Sequence, residues 1–141
     1  MSVSRIADIA VSGMLAQRLR MTVTASNIAN AQTTRTAEGG PYRRRDPVFA
    51  ADPVGGAFAS GFDRELSGVA VPRVEIDSRP GSMRLDPGHP DADENGFVQL
   101  PNVDLVEELT NMQQASRSFE ANLLALRKAR EMSEAALRIG K

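Results

Sequence analysis

Residues 105–137 read LVEELTNMQQASRSFEANLLALRKAREMSEAAL. Steps of four and three from Leu105 land on Leu109, Met112, Ser116, Phe119, Leu123, Leu126, Arg130, Ser133 and Leu137. This 3.5-residue spacing is the heptad pattern of a helix that lays a stripe along another helix. Ser116, Arg130 and Ser133 interrupt the stripe with polar groups. Asp104 stands where an N-cap belongs, with Glu107 three residues on in a capping-box arrangement. Acidic residues gather at the start of the helix, and Arg127, Lys128, Arg130, Arg138 and Lys141 toward its end, in keeping with the helix dipole. Gly140 fits a C-terminal stop.

The stripe needs a partner, and the other end of the chain offers one. Ser2 or Ser4 can cap a first helix running to about Asn30. Along it Val11, Met14, Leu15, Met21, Ala25, Ile28 and Ala29 form one apolar stripe, while Ile6, Ile9, Ala10, Gly13 and Ala16 form a second. A helix with two apolar faces touches neighbours on both sides. Antiparallel pairing is expected to bury the 105–137 seam against the Val11–Ile28 stripe and to leave the second stripe uncovered. The last helix would be ~50 Å long, more than a small insert can cover, so an exposed apolar face and assembly with other chains are expected.

Between the helices the chain turns polar and rich in turn residues, from Gln32 through Gly39, Gly40 and Pro41. Residues 52–61 read as a loop. Val69, Val71, Val74 and Ile76 alternate around Pro72 as a short β-ribbon edge does, and residues 82–85 and 97–100 supply two more brief strands. The predicted fold is mainly α with a small β-rich insert, the long terminal helices pairing as an antiparallel coiled coil. The expected division is an N-terminal helix (1–31), a β-rich and loop insert (32–101) and a C-terminal helix (102–141).

Composition narrows the function. The 141 residues include one Tyr, no Trp and five Phe, too few bulky residues for a large core. Seventeen basic residues against eighteen acidic ones give no electrostatic reason to expect nucleic acid. Three arginines, Arg43, Arg44 and Arg45, follow Tyr42 and suit either a phosphate contact or a solvated or inter-subunit surface; Asp46 and the absence of an aromatic-rich motif favour the surface. No apolar run is long enough to span a membrane. Asp8, Ser12 and Gly13 interrupt the start too often for a cleaved signal peptide.

Zero cysteines exclude disulfides and thiol catalysis. The one histidine, His89, lies between Gly88 and Pro90 with no second His or Cys to complete a transition-metal site. Residues 91–96, DADENG, match the first half of a calcium-binding loop, but Asn102 stands where the closing carboxylate is required, so no metal is expected. No phosphate-binding glycine motif and no catalytic constellation appears, and neither an enzyme nor a cofactor is expected.

Ala25-Ser26-Asn27-Ile28-Ala29-Asn30, followed by Thr33, resembles the amino-terminal motif of bacterial flagellar rod and hook proteins. Asn102-Val103-Asp104, continuing through Met112, Ala115, Arg117, Phe119, Ala121 and Asn122, resembles their carboxy-terminal signature. Pro41-Tyr42-Arg43 and Val48-Phe49 extend the likeness to the basal-body rod members. The resemblance implies a structural role in an axial tube that transmits motor torque. It implies partners in further copies of the chain, other rod proteins, basal-body ring or adaptor components, and the flagellar type III export apparatus. It also implies a periplasmic rod location reached without a cleaved signal. Asn27 and Asn122 are expected to set helix register, as a buried Asn does in coiled coils. Asn30 suits either that role or a helix C-cap in the left-handed conformation, the cap being the better fit. The expected helix and subunit interface comprises Val11, Met14, Met21, Ala25, Asn27, Ile28, Leu105, Leu109, Met112, Phe119, Asn122, Leu123 and Leu126, with Arg43–Arg45 as a surface contact. A second reading is a soluble coiled-coil adaptor with a calcium-tuned loop at 91–96.

Overall fold

The computed structural model describes residues 3–53 and 66–139. Two helices, α1 (Val3–Ala29) and α2 (Leu105–Ile139), bracket two small antiparallel ribbons. β1 (Arg45–Pro53) pairs with β2 (Ser67–Ile76), and β3 (Met83–Leu85) pairs with β4 (Phe97–Gln99). The ribbon β1–β2 leans on α1, where the Val69 amide donates to Ser12 Oγ at 3.1 Å.

Element boundaries have local causes. Asp104 Oδ1 accepts the amides of Val106 at 2.8 Å and Glu107 at 3.2 Å, which caps α2. The reciprocal half of the capping box is replaced, because the Glu107 carboxylate turns to Arg44 at 3.6 Å. At the end of α1, Asn30 Nδ2 donates to the Ser26 carbonyl at 2.9 Å. Among the described residues only glycines have positive φ, so Asn30 closes the helix with its side chain and not with a left-handed backbone. Of the two caps expected for α1, Ser4 falls within the helix, and Ser2 lies outside the described residues, as do the stop at Gly140 and most of the 52–61 loop.

The strand β1 was hidden by Pro47 and Pro53, which argue against a central strand. A two-stranded ribbon gives each strand one outer edge, so a missing amide can face away from the ladder. Pro47 sits opposite Val74, and a register shift between Val48 and Ala50 leaves Phe49 outside the paired positions.

The helices run antiparallel. Gly13 lies against Asn122, Arg20 Nη2 donates to Asn111 Oδ1 at 3.0 Å, and Asn27 Nδ2 donates to Glu108 Oε2 at 3.0 Å. Partner numbers on α2 fall as those on α1 rise. Positions 13, 20 and 27 are spaced by seven, so one stripe of α1 makes all three contacts. On α2 the inward column is Glu108, Ala115 and Ala129, all buried, with Asn122 between them. This register carries the last turns of α2, with exposed Met132 and Leu137, past the start of α1.

The expected pairing of stripes is therefore corrected on both helices. On α1 the small-residue stripe is covered, with Ala10 and Ala16 at 4% and 3% exposure, while Val11 and Leu15 stay exposed. A Cβ on Gly13 would stand 2.8 Å from Asn122 Nδ2, so the missing side chain is what allows the close approach. On α2 the column 108, 115, 122, 129 displaces the column 109, 116, 123, 130, 137 by one residue. Met112, Phe119 and Leu126, half-buried, belong to both readings.

Candidate functional site

Where the end of α1 meets the start of α2, the side chain of Asn27 is 1% exposed and all its hydrogen-bonding capacity is used. Its Nδ2 donates to the Arg45 carbonyl at 2.8 Å and to Glu108 Oε2 at 3.0 Å. Its Oδ1 accepts the Tyr42 hydroxyl at 2.9 Å and the Arg45 amide at 3.0 Å. A carboxamide can serve both sides because it carries two donors and two lone pairs on one plane.

Glu108 is equally buried, and its second oxygen accepts Arg44 Nε at 2.7 Å. Arg44 also faces Asp46 and Glu107, at 3.4 and 3.6 Å. Burial alone pulls the Arg44 guanidinium down. The hydrogen bond and charge of Glu108, with Asp46 adding, outweigh that and hold it above its ordinary value. The Arg44 backbone joins in: its amide donates to Asn102 Oδ1 at 2.8 Å, and its carbonyl accepts the Asp77 amide at 2.8 Å. One cluster thus ties α1, the 33–44 segment, β1, the end of β2 and the first turn of α2.

The three arginines do not form one surface. Arg43 and Arg45 are exposed, the latter 5.7 Å from the centroid of the Tyr42 ring, whereas Arg44 is buried. Its carboxylate partner lies 64 residues on, which local sequence does not reveal. Among the other interface candidates, Asn27 and Asn122 lie between the helices, while Met14, Met21, Ile28, Met112, Phe119, Leu123 and Leu126 are half-buried. Val11, Ala25, Leu105 and Leu109 are exposed. Tyr42, Arg44, Asn102 and Glu108 are the site residues that periodicity missed.

The acidic turn at 91–96 is tied into the fold. Asp91 accepts Thr34 Oγ1 at 2.8 Å and pairs with Arg35, and Asp93 Oδ1 accepts the amides of Asn95 and Phe97. The Asp91 amide donates to His89 Nδ1 at 3.1 Å. Among the described residues no group of metal-ligating side chains is gathered, and no helix is long and apolar enough to cross a membrane.

What the cluster does is join the chain's two ends, and known proteins share both. Residues 8–35 match the family model described as "Flagella basal body rod protein", and residues 94–139 match "Flagellar basal body rod FlgEFG protein C-terminal". The protein named flagellar basal-body rod protein FlgC from Borreliella burgdorferi is 42% identical over 94% of this chain and 93% of its own length. The protein of that name from Salmonella typhimurium is 40% identical over 99% of each chain, and that from Bacillus subtilis 36% identical over 95% of each. The chain belongs to the flagellar basal-body rod protein FlgC family. That family is structural and not enzymatic. Asn27 falls in the first matched segment, and Asn102 and Glu108 in the second. Tyr42 and Arg44, which bridge them, lie in neither.

Proposed function

We propose that this chain is a structural subunit of the flagellar rod whose helices α1 and α2 pair as an antiparallel coiled coil. One flank of that pair then contacts neighbouring subunits in an axial tube that carries torque. The observation that carries this reading is the placement of the leftover apolar residues. Met14, Met21 and Ile28 each follow a contact position of α1 by one residue, and Leu109 and Leu123 follow contact positions of α2 in the same way. On antiparallel helices a one-residue step turns both sets to the same side of the contact line. That side is apolar along much of its length, with Leu109 53% exposed. An apolar face on two long helices is more than an isolated protein ordinarily leaves in water.

Partners on this reading are further copies and other rod proteins, with ring or adaptor components around them, at a periplasmic location reached through the flagellar export apparatus. The terminal helices serve as assembly elements, and the 32–101 insert spaces and orients them.

Substitution on the flank tests the reading. Leu109→Asp and Leu123→Asp are expected to keep helical content close to wild type while abolishing incorporation into basal bodies and swimming. Cells carrying either variant that swim normally would overturn the flank assignment.

A further inference from the structure

The loop after α1 separates two surfaces of opposite charge. On one side is a cleft of about 490 Å³ lined by Tyr42, Arg43, Arg45 and Ile76, with Glu38 also on its wall. Arg43 and Arg45 are exposed, and among the described residues neither side chain is paired with a carboxylate. Arg35, Arg44, Arg73, Arg79, Arg84 and Arg130 each have an acidic partner. The other arginines for which none is seen among the described residues, Arg18, Arg20, Arg117, Arg127 and Arg138, all stand on the two helices, away from this cleft's wall. On the other side of the loop Thr34 and Arg35 hold the acidic turn through Asp91. That pairing leaves Asp93 and Glu94 exposed beyond it, both carboxylates in no ion pair among the described residues, with Asp93 Oδ1 taken only by the amides of Asn95 and Phe97.

We propose that the Arg43–Arg45 cleft of one copy receives the Asp93–Glu94 turn of a second copy. The charges are complementary, and the two patches are built from different segments of the same chain. Repeated head to tail, the contact builds a ring or an open helix, whereas the same pairing made reciprocally about a two-fold axis would close as a dimer; a tube requires the first arrangement. Guanidinium groups suit carboxylates because their planar forks bond two oxygens at once. Tyr42 and Ile76 lend the cleft apolar wall that excludes water from part of the contact. Rim charges of this kind set register and partner choice more than bulk affinity. The helix flank then supplies the area, and this contact fixes the relative rise of neighbouring copies. The proposal rests on the reading of the chain as a polymer subunit and adds a specific contact to it.

Charge reversal and cross-linking test it in cells producing the full chain. Arg45→Glu is expected to lower incorporation into basal bodies about tenfold, and Arg45→Glu with Glu94→Arg to restore most of it. Because the chain has no cysteine, differently tagged Arg43→Cys and Glu94→Cys versions can be produced together and oxidised. A mixed-tag dimer should form, and neither version alone should dimerise. Arg45→Glu incorporating as well as wild type, or an Arg43→Cys cross-link only to some other protein, would overturn the contact. Either result leaves the subunit reading intact, since that reading falls only if the helix-flank variants assemble.

Discussion

Asn27 Nδ2 donates to Glu108 Oε2 at 3.0 Å, across 81 residues of chain, and this bond fixes how the end of α1 meets the start of α2. Removing the amide strands several buried groups at once, a Glu108 oxygen and both backbone groups of Arg45, and leaves the Tyr42 hydroxyl only the longer contact with Ser26 Oγ at 3.4 Å. Asn27→Ala is therefore expected to cost about 3 kcal/mol, from unsatisfied buried polar groups that each cost about 1–3 kcal/mol and partly relax. Asn27→Asp keeps the shape but sets a second carboxylate against Glu108, and is expected to be at least as damaging. Urea unfolding followed by far-ultraviolet circular dichroism measures both. A loss below about 1 kcal/mol for Asn27→Ala would show that the junction is held elsewhere.

The Arg44–Glu108 pair makes a separate prediction. Arg44→Met leaves a carboxylate that is 1% exposed without its cation, and breaking a buried pair from one side costs about 3–5 kcal/mol. Replacing both groups, as Arg44→Met with Glu108→Leu, removes the unpaired charge and is expected to recover at least about 2 kcal/mol of that loss. The remainder is the hydrogen bond from Asn27, which also ends on Glu108. The double-mutant cycle, measured by the same unfolding experiment, separates the two contributions.

How far these features can be read from sequence depends on the distance between partners. The Asp104 cap was legible because its amides lie two and three residues away. The 3.5-residue period of α2 was legible too, and with it Met112, Phe119 and Leu126. The facing column was misplaced by one residue because 109, 123 and 137 are leucines whereas 108, 115, 122 and 129 read as Glu, Ala, Asn and Ala. Apolar patterning favours the first set. The second wins because small residues let the helices approach and because Asn27 and Arg44 satisfy the carboxylate. Those partners lie 81 and 64 residues away, beyond the reach of any periodicity argument.

Gly81 gives a prediction about the insert. A Cβ there would lie 1.8 Å from the Leu100 carbonyl oxygen, a backbone atom with little freedom to retreat, since the Leu100 amide is bonded to the Ser82 carbonyl at 2.8 Å. Gly81→Ala should part the segment entering β3 from the one leaving β4 and lower stability by about 2–4 kcal/mol. Gly39→Ala makes the comparison: nothing lies near its Cβ position, so its cost is the positive φ alone, about 1 kcal/mol. Equal destabilisation of the two variants would contradict the close approach at Gly81.

Asp77 supplies the pH dependence. Its carboxylate takes the Arg79 side chain first and the Arg79 amide second, and these hold it down to about 2. A carboxylate depressed in the folded state contributes stability that is fully present above its unfolded-state value, about 4, and declines as pH falls through the folded value of about 2. The loss therefore belongs to the window between about pH 4 and pH 2, and neutral pH leaves it untouched. The backbone of Asp77 is bonded to the Arg44 carbonyl and to Asn102 Nδ2, so weakening this turn loosens one wall of the buried cluster. Carbon-13 NMR titration of the Asp77 carboxyl is expected to find a midpoint near 2 in the native chain, rising toward the ordinary range in Arg79→Gln, where only the amide bond remains. A native midpoint near 4, unchanged by that substitution, would mean that Arg79 does not hold Asp77 in solution.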